Sequence, residues 1–294
     1  MTVLKLAVCS WGIYSDQFAN AAALTATVKA QSGIPDSFNS ACADGAQTTD
    51  PALDSALQGL DPINQYAFRA LHDALPDCDG AMLNRAGLLL LSAWGPMDNT
   101  VSFLDSMLEA QGRYASPRHF TRSVYSTVAS HAAIYFGIHG PCETLTHGQW
   151  PIGGVLDRAA DMLASRRVDH VIACWADQSS KIVEDLCRRG VMALDRHELS
   201  RFTSGETGYG SVALVLKRPE EATHSDVLLE MPNADTAGPC ANVTLHIHSF
   251  PTDGAVHLAA AIAAARIGSG KLPICFTETD PRGHARMVRV AAKP

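Results

Sequence analysis

The residues best placed for chemistry lie in Gly140-Pro141-Cys142-Glu143-Thr144-Leu145-Thr146-His147-Gly148-Gln149-Trp150-Pro151. This run reads as a short strand, a tight turn and a helix that opens near Pro151 and continues to about Arg166. Gly148 allows the turn an unusual backbone, and proline suits a first helical turn. A second strand, Val168 to Trp175, completes a strand–helix–strand unit. A side chain pushed out on such a turn meets the helix N-terminus, where free N–H groups and aligned peptide dipoles favour negative charge. A thiol there would ionise readily and attack an acyl group. This chain places Gln149 there. A carboxamide has no proton to lose in the working range and is a poor nucleophile.

Other reactive side chains give weaker patterns. Cys142 precedes a strand and Cys174 sits within one, so both are expected to be buried structural thiols. His246 and His248 alternate on a strand and share a face, but no third ligand stands at matching spacing, so no metal site is expected. His147 is placed either to line the turn at Gln149 or to hydrogen-bond it. Gly205, Gly208 and Gly210 imitate a dinucleotide fingerprint. Their loop feeds a strand, Ser211 to Leu216, instead of opening a helix, so no cofactor is expected.

The elements that must hold these groups alternate between strand and helix. Leu4 to Trp11 is an apolar opening strand, and Phe18 to Ala30 has helix character. Asp36 to Leu60 is polar and reads as an irregular excursion or a disordered loop. Tyr66, Ala67, Ala70, Leu71, Ala74 and Leu75 set a helical spacing over Asn64 to Leu75. Ala86 to Ala93 contains four consecutive leucines, the pattern of a strand covered on both faces. Val256 to Ile267 is a further helix. The pattern is α/β with a βαβ core.

Bulk properties narrow the function classes. The chain has 294 residues, 47% hydrophobic and 18% charged, enough for a sizeable core. A net charge of −7 argues against nucleic acid as a partner. The alanine-rich stretch Ala255 to Ala265 is too short to span a bilayer, and the N-terminus lacks a secretory pattern. The eight cysteines show no C-x-x-C spacing, which suggests free thiols. A cytoplasmic protein is expected, with no membrane partner.

The stretch from Gly140 to Cys174 resembles the β-ketoacyl synthases of fatty acid and polyketide assembly. Gly140-Pro141 opens the run, Gln149 falls on the position of their nucleophilic cysteine, and Arg167 to Cys174 matches the strand that follows. Ser116-Pro117-Arg118-His119-Phe120 with the small-residue helix after it, and Phe202 to Leu216, are further matches. The resemblance implies a thiolase-like layered αβαβα fold of mixed five-stranded sheets with a shortened C-terminal half. It also implies one domain over 1–294, with pseudo-halves of about 1–180 and 181–294. Gly254-Ala255 through the following helix, then Leu272-Pro273 and Asp280-Pro281, match the family's end; aligned so, Pro251 stands where a catalytic histidine should be. The other histidine has only a weak counterpart, at Asp235, and too little chain separates Leu216 from Val243 for the family's usual elements.

A ketosynthase-like chain without its thiol and imidazoles resembles the chain-length factor, the inactive partner in type II polyketide synthases. That likeness implies a heterodimer with an active ketosynthase, contact with an acyl carrier protein through the complex, and a wall for the polyketide or polyene tunnel. It carries the tunnel role to Met97, Thr100 and Leu104, with Trp94 close by, although the same residues suit a helix start and core. Arg122, Tyr125 and His131 are candidate interface contacts, and His131 suits a core position equally. The alternative is an enzyme, a Gln-type malonyl-carrier-protein decarboxylase; that chemistry needs the histidines.

Overall fold

The computed structural model describes residues 3–15, 18–30, 50–76, 78–146, 151–178, 180–189, 210–232, 241–245, 251–267, 273–279 and 285–292. Its strands are β1 (Leu4–Ser15), β2 (Ala86–Ser92), β3 (Cys142–Thr146), β4 (His170–Asp177), β5 (Gly210–Lys217), β6 (Val227–Met231), β7 (Ala241–Leu245), β8 (Ile274–Thr279) and β9 (Ala285–Ala292). The helices are α1 (Ala21–Ala30), α2 (Pro51–Leu57), α3 (Pro62–Ala74), α4 (Gly80–Asn84), α5 (Met97–Glu109), α6 (Pro117–Ser123), α7 (Ser126–Phe136), α8 (Pro151–Ala164), α9 (Lys181–Arg188) and α10 (Pro251–Arg266). The strand–turn–helix–strand unit expected around Gly140 is β3, α8 and β4. Of the polar stretch expected to be irregular, residues 36–49 lie outside the described residues, and the remainder contains α2, because the Asp50 carboxylate caps the backbone N–H groups of Ala52 and Leu53 just before Pro51 opens the helix.

The strands form one nine-stranded sheet in the order β3-β2-β4-β5-β1-β6-β9-β8-β7. The first five strands and the last four share a pattern. In the first group β2 runs parallel to β4, which pairs antiparallel with β5, which pairs antiparallel with β1. In the second group β7, β8, β9 and β6 repeat those three relationships in the same order. The helices α8 and α10, each entering the strand β4 or β8, repeat as well. By this grouping β5 sits with β1 to β4 in the sheet. Strand β1 is the hinge of the arrangement: Leu4 to Val8 pairs with β6, while Ala7 to Ser15 pairs with β5 across a register shift at Val8/Ser10.

The second group departs from the expected five strands. Among the described residues it has no counterpart of the edge strand β3. The described residues between β5 and β7 supply a 3-10 turn, Pro219–Glu221, and β6. This is the shortened C-terminal half expected from the spacing.

Two cores explain the layers. Along β2, Leu88 and Leu90 face α2, α3 and α7, while Leu89 and Leu91 face α1, α8 and α10. The second cluster also takes in Leu229 of β6, Phe276 of β8 and Val288 of β9, so α8 and α10 lie between the two groups of strands. Helix α10 is buried from Ala255 to Ala264, which accounts for its alanines: small side chains let a helix be enclosed on every side. The far face of β6 and β9 carries a charge ladder in which Glu230 accepts from Lys5 at 2.7 Å and from Arg289 at 2.5 Å. No described helix covers that face, so four of the five expected layers are present among the described residues. No described helix is long and apolar enough to cross a membrane.

Candidate functional site

The mouth of α8 is occupied by a carboxylate from the other half of the molecule. Glu278, on β8, is fully buried. One of its oxygens accepts from the backbone N–H of Ile152 at 2.8 Å and the other from that of Gly153 at 3.0 Å. Burial pushes the Glu278 carboxyl up from the ordinary range, while the two N–H donors and Arg286 act against it. Its cross-strand neighbour Arg286 donates to both oxygens of Asp157 on α8. Arg286 lies so close over the first turn that a Cβ on Gly153 would sit 2.6 Å from its Cδ. Sequence reading missed Glu278. The available signal was an acid on the same strand face as Ile274 and Phe276, two positions from an aromatic core residue.

Gln149, like His147, His246, His248 and Asp235, lies outside the described residues. Pro251 is the first residue of α10. Among the described residues no three His, Cys, Asp or Glu side chains gather as a metal centre requires.

A second constellation braces the loop between β2 and α5. Asp177, buried at the end of β4, accepts from Ser92 Oγ at 2.8 Å and from the backbone N–H of Ala93 at 2.9 Å. Ser92 Oγ in turn accepts from Gly95 N at 2.8 Å. Gly95 has φ +60° and lies against the Tyr125 ring, whose hydroxyl donates to Ala93 O at 3.4 Å. The loop therefore launches α5 in a fixed direction. Met97 is its first residue, and the helical spacing puts Met97, Thr100, Leu104 and Leu108 along one face. Thr100 Oγ1 donates to Ser123 O at 3.4 Å, tying that face to α6, whereas Leu104 and Leu108 are 44% and 71% exposed. Trp94 is half-buried, and its indole Nε1 is buried with no hydrogen-bond partner among the described residues.

The candidate interface residues divide. Arg122 donates to Gly59 O at 3.1 Å within the chain, and Tyr125 packs on Gly95. His131 is half-buried with its Nδ1 unpaired. An open cleft of about 450 Å³ between α5 and α9 is lined by Asp98, Val101, Ser102, Lys181, Ile182 and Asp185.

Two expectations about cysteine are corrected. Cys142 is exposed: it opens β3, which pairs with β2 on one side and with no described strand on the other. Cys275 is disulfide-bonded, so the thiols are not all free. Cys174 is buried as expected, its thiol pushed up to about 12 by desolvation.

Comparison with solved structures gives this architecture a name. The ishigamide ketosynthase/chain length factor superposes with a TM-score of 0.72 at 15% identity, over 98% of this chain and 100% of that one. The chain carries a ketosynthase fold. A type II polyketide synthase acyl-carrier protein complexed with its ketosynthase bound to the hexaketide (AntDE:AntF) matches with a TM-score of 0.66 at 14% identity, over 99% of this chain and 100% of that one. The complex of a ketosynthase (ApeO) with its chain length factor (ApeC) from Xenorhabdus doucetiae matches with a TM-score of 0.62 at 13% identity, over 97% and 99%. No family model matches the sequence, and no curated protein matches it.

Within the ketosynthase fold, one flank is left uncovered by the described residues. β3 pairs with β2 on one side, and no described strand pairs with the other. Helix α7 packs against β3, α6 against α7, and α5 against α6. These helices and the turn between α5 and α6 expose Leu108, Tyr114 at 81%, Phe120 at 54% and Ile134 at 81%. Exposed large apolar side chains on helices stacked outward from a strand with a free edge are features of an association surface.

Proposed function

We propose that this chain is a non-catalytic, chain-length-factor-type subunit that pairs with an active ketosynthase and forms part of the wall of its polyketide or polyene tunnel. The observation that carries the reading is the flank with no described cover: β3 has no described strand on its outer side, α7 packs on it with Ile134 exposed, and the α5–α6 region stacked on α7 exposes Leu108, Tyr114 and Phe120. The fold likeness to ketosynthase and chain-length-factor structures supports the choice of partner class. The face of α5 that begins at Met97 and continues through Thr100 to Leu104 supports the tunnel role, since the Asp177-braced loop fixes where that face points. Gln149 in place of a cysteine supports the absence of condensation chemistry, because a carboxamide cannot hold an acyl chain as a thioester. An acyl carrier protein would then engage the complex and not necessarily this chain.

Co-expression with a ketosynthase encoded beside it, followed by size-exclusion chromatography with light scattering, tests the reading. A stable one-to-one complex is expected, with condensing activity only in the complex and a product length that shifts when Met97 or Leu104 is replaced by Phe or Ala. Condensing or decarboxylating activity of the isolated chain on carrier-bound thioesters would overturn it.

A further inference from the structure

We propose that Glu278 is a resident anion that closes the N-terminus of α8, so that this chain cannot use that helix mouth to stabilise a thiolate or a thioester oxyanion. The inference deepens the subunit reading and rests on it for the meaning of the helix mouth. The backbone N–H groups of Ile152 and Gly153 are donors of the first turn of α8, and each already donates to one oxygen of a fully buried carboxylate. An external anion would have to expel a covalently tethered one. Tethering removes most of the translational cost of binding, so the resident group wins at any ordinary ligand concentration.

The neighbours fit a permanent occupant. Both carboxyl oxygens accept from backbone N–H donors, which favour the charged form against the burial that opposes it. Glu278 and Arg286 face each other across β8 and β9, and Arg286 grips Asp157 one turn further along α8. The β8–β9 pair from the second half therefore holds the first two turns of α8 from the first half. Loss of the chemistry and survival of the shortened second half become linked: what remains of that half supplies the plug.

The test removes the plug and offers a small substitute. Glu278→Ala is expected to lower the melting temperature by about 5 °C. Sodium acetate should restore part of that loss saturably, beyond sodium chloride at equal ionic strength, and should leave the unmutated chain unmoved. Equal effects of acetate and chloride on the variant would overturn the proposal, as would an equal gain by both proteins. Glu278→Gln keeps the volume and serves where the alanine variant does not fold. For an acid raised by burial, stability falls as pH rises from about 4.5 through the folded value. The charged groups facing Glu278 are Arg286 on β9 and Asp157 on α8. The Gln variant should lose that slope, and an unchanged slope counts against the proposal. Rescue by acetate in a chain that pairs with no ketosynthase would leave the plug standing and remove the subunit reading; pairing without rescue would do the reverse.

Discussion

Ser92 and Asp177 sit 85 residues apart in the chain, and a 2.8 Å hydrogen bond joins them where β2 and β4 end. The same carboxylate accepts from Ala93 N, so one buried side chain sets the exit of β2 and with it the axis of α5. Asp177→Ala leaves buried donors without a partner and should destabilise the chain by about 2–4 kcal/mol in urea unfolding. Asp177→Asn retains an acceptor and should cost less. If the α5 face lines a tunnel, the Asn variant should pair normally yet blur product length.

Gly95 tests the same loop from its other side. Its φ is +60°, and a Cβ at this position would lie 2.9 Å from the Tyr125 ring, which leaves no room for alanine. Gly95→Ala should cost about 1–3 kcal/mol, part backbone and part steric. Pairing it with Tyr125→Ala should recover the steric part only, which a double-mutant cycle reads directly.

Asp169 gives an acid-side signature. Arg85 and Arg218 hold its carboxyl down to about 2, chiefly through hydrogen bonds to the carboxylate. A depressed acid contributes stability that is present above its unfolded value near 3.9 and is lost as pH falls toward 2. Asp169→Asn should flatten that part of the acid unfolding curve and leave stability above pH 5 lower but parallel. The side chain is partly exposed, so added salt should shrink the difference.

Cys142 reports on the edge of β3. It is exposed, while burial of the sulfur and the charge of Glu143 raise its pKa, so alkylation should be slow at pH 7 and accelerate above pH 9. Peptide mass mapping should find Cys174 unlabelled in the native chain. Addition of a ketosynthase partner should protect Cys142, and Ile134→Glu should abolish that protection while changing the stability of the isolated chain by less than about 0.5 kcal/mol. Labelling of Cys142 that is indifferent to the partner would move the interface elsewhere.

Local pattern alone was enough for the elements nearest the proposed site. The four leucines of β2, the helix spacing of α3 and the strand–turn–helix of β3 and α8 all emerge from side-chain period and turn chemistry, which act over a few residues. Alanine richness marked α10 for the same reason. Gln149 and Pro251 were legible as residue types, and their standing at a thiol and an imidazole position belongs to the proposed function.

Only the folded chain decided what meets at the ends of those elements. Glu278 lies 126 residues from Ile152, and nothing in either local sequence specifies that a strand of the second half delivers an acid to a helix of the first. Sheet order did that, by seating β8 and β9 beside the mouth of α8. The place of β3 at the end of the described sheet is likewise a fact of strand order and not of composition. Residue period is a property of the chain over short range, whereas which donor finds which acceptor is set by long-range pairing that hydrophobic burial selects.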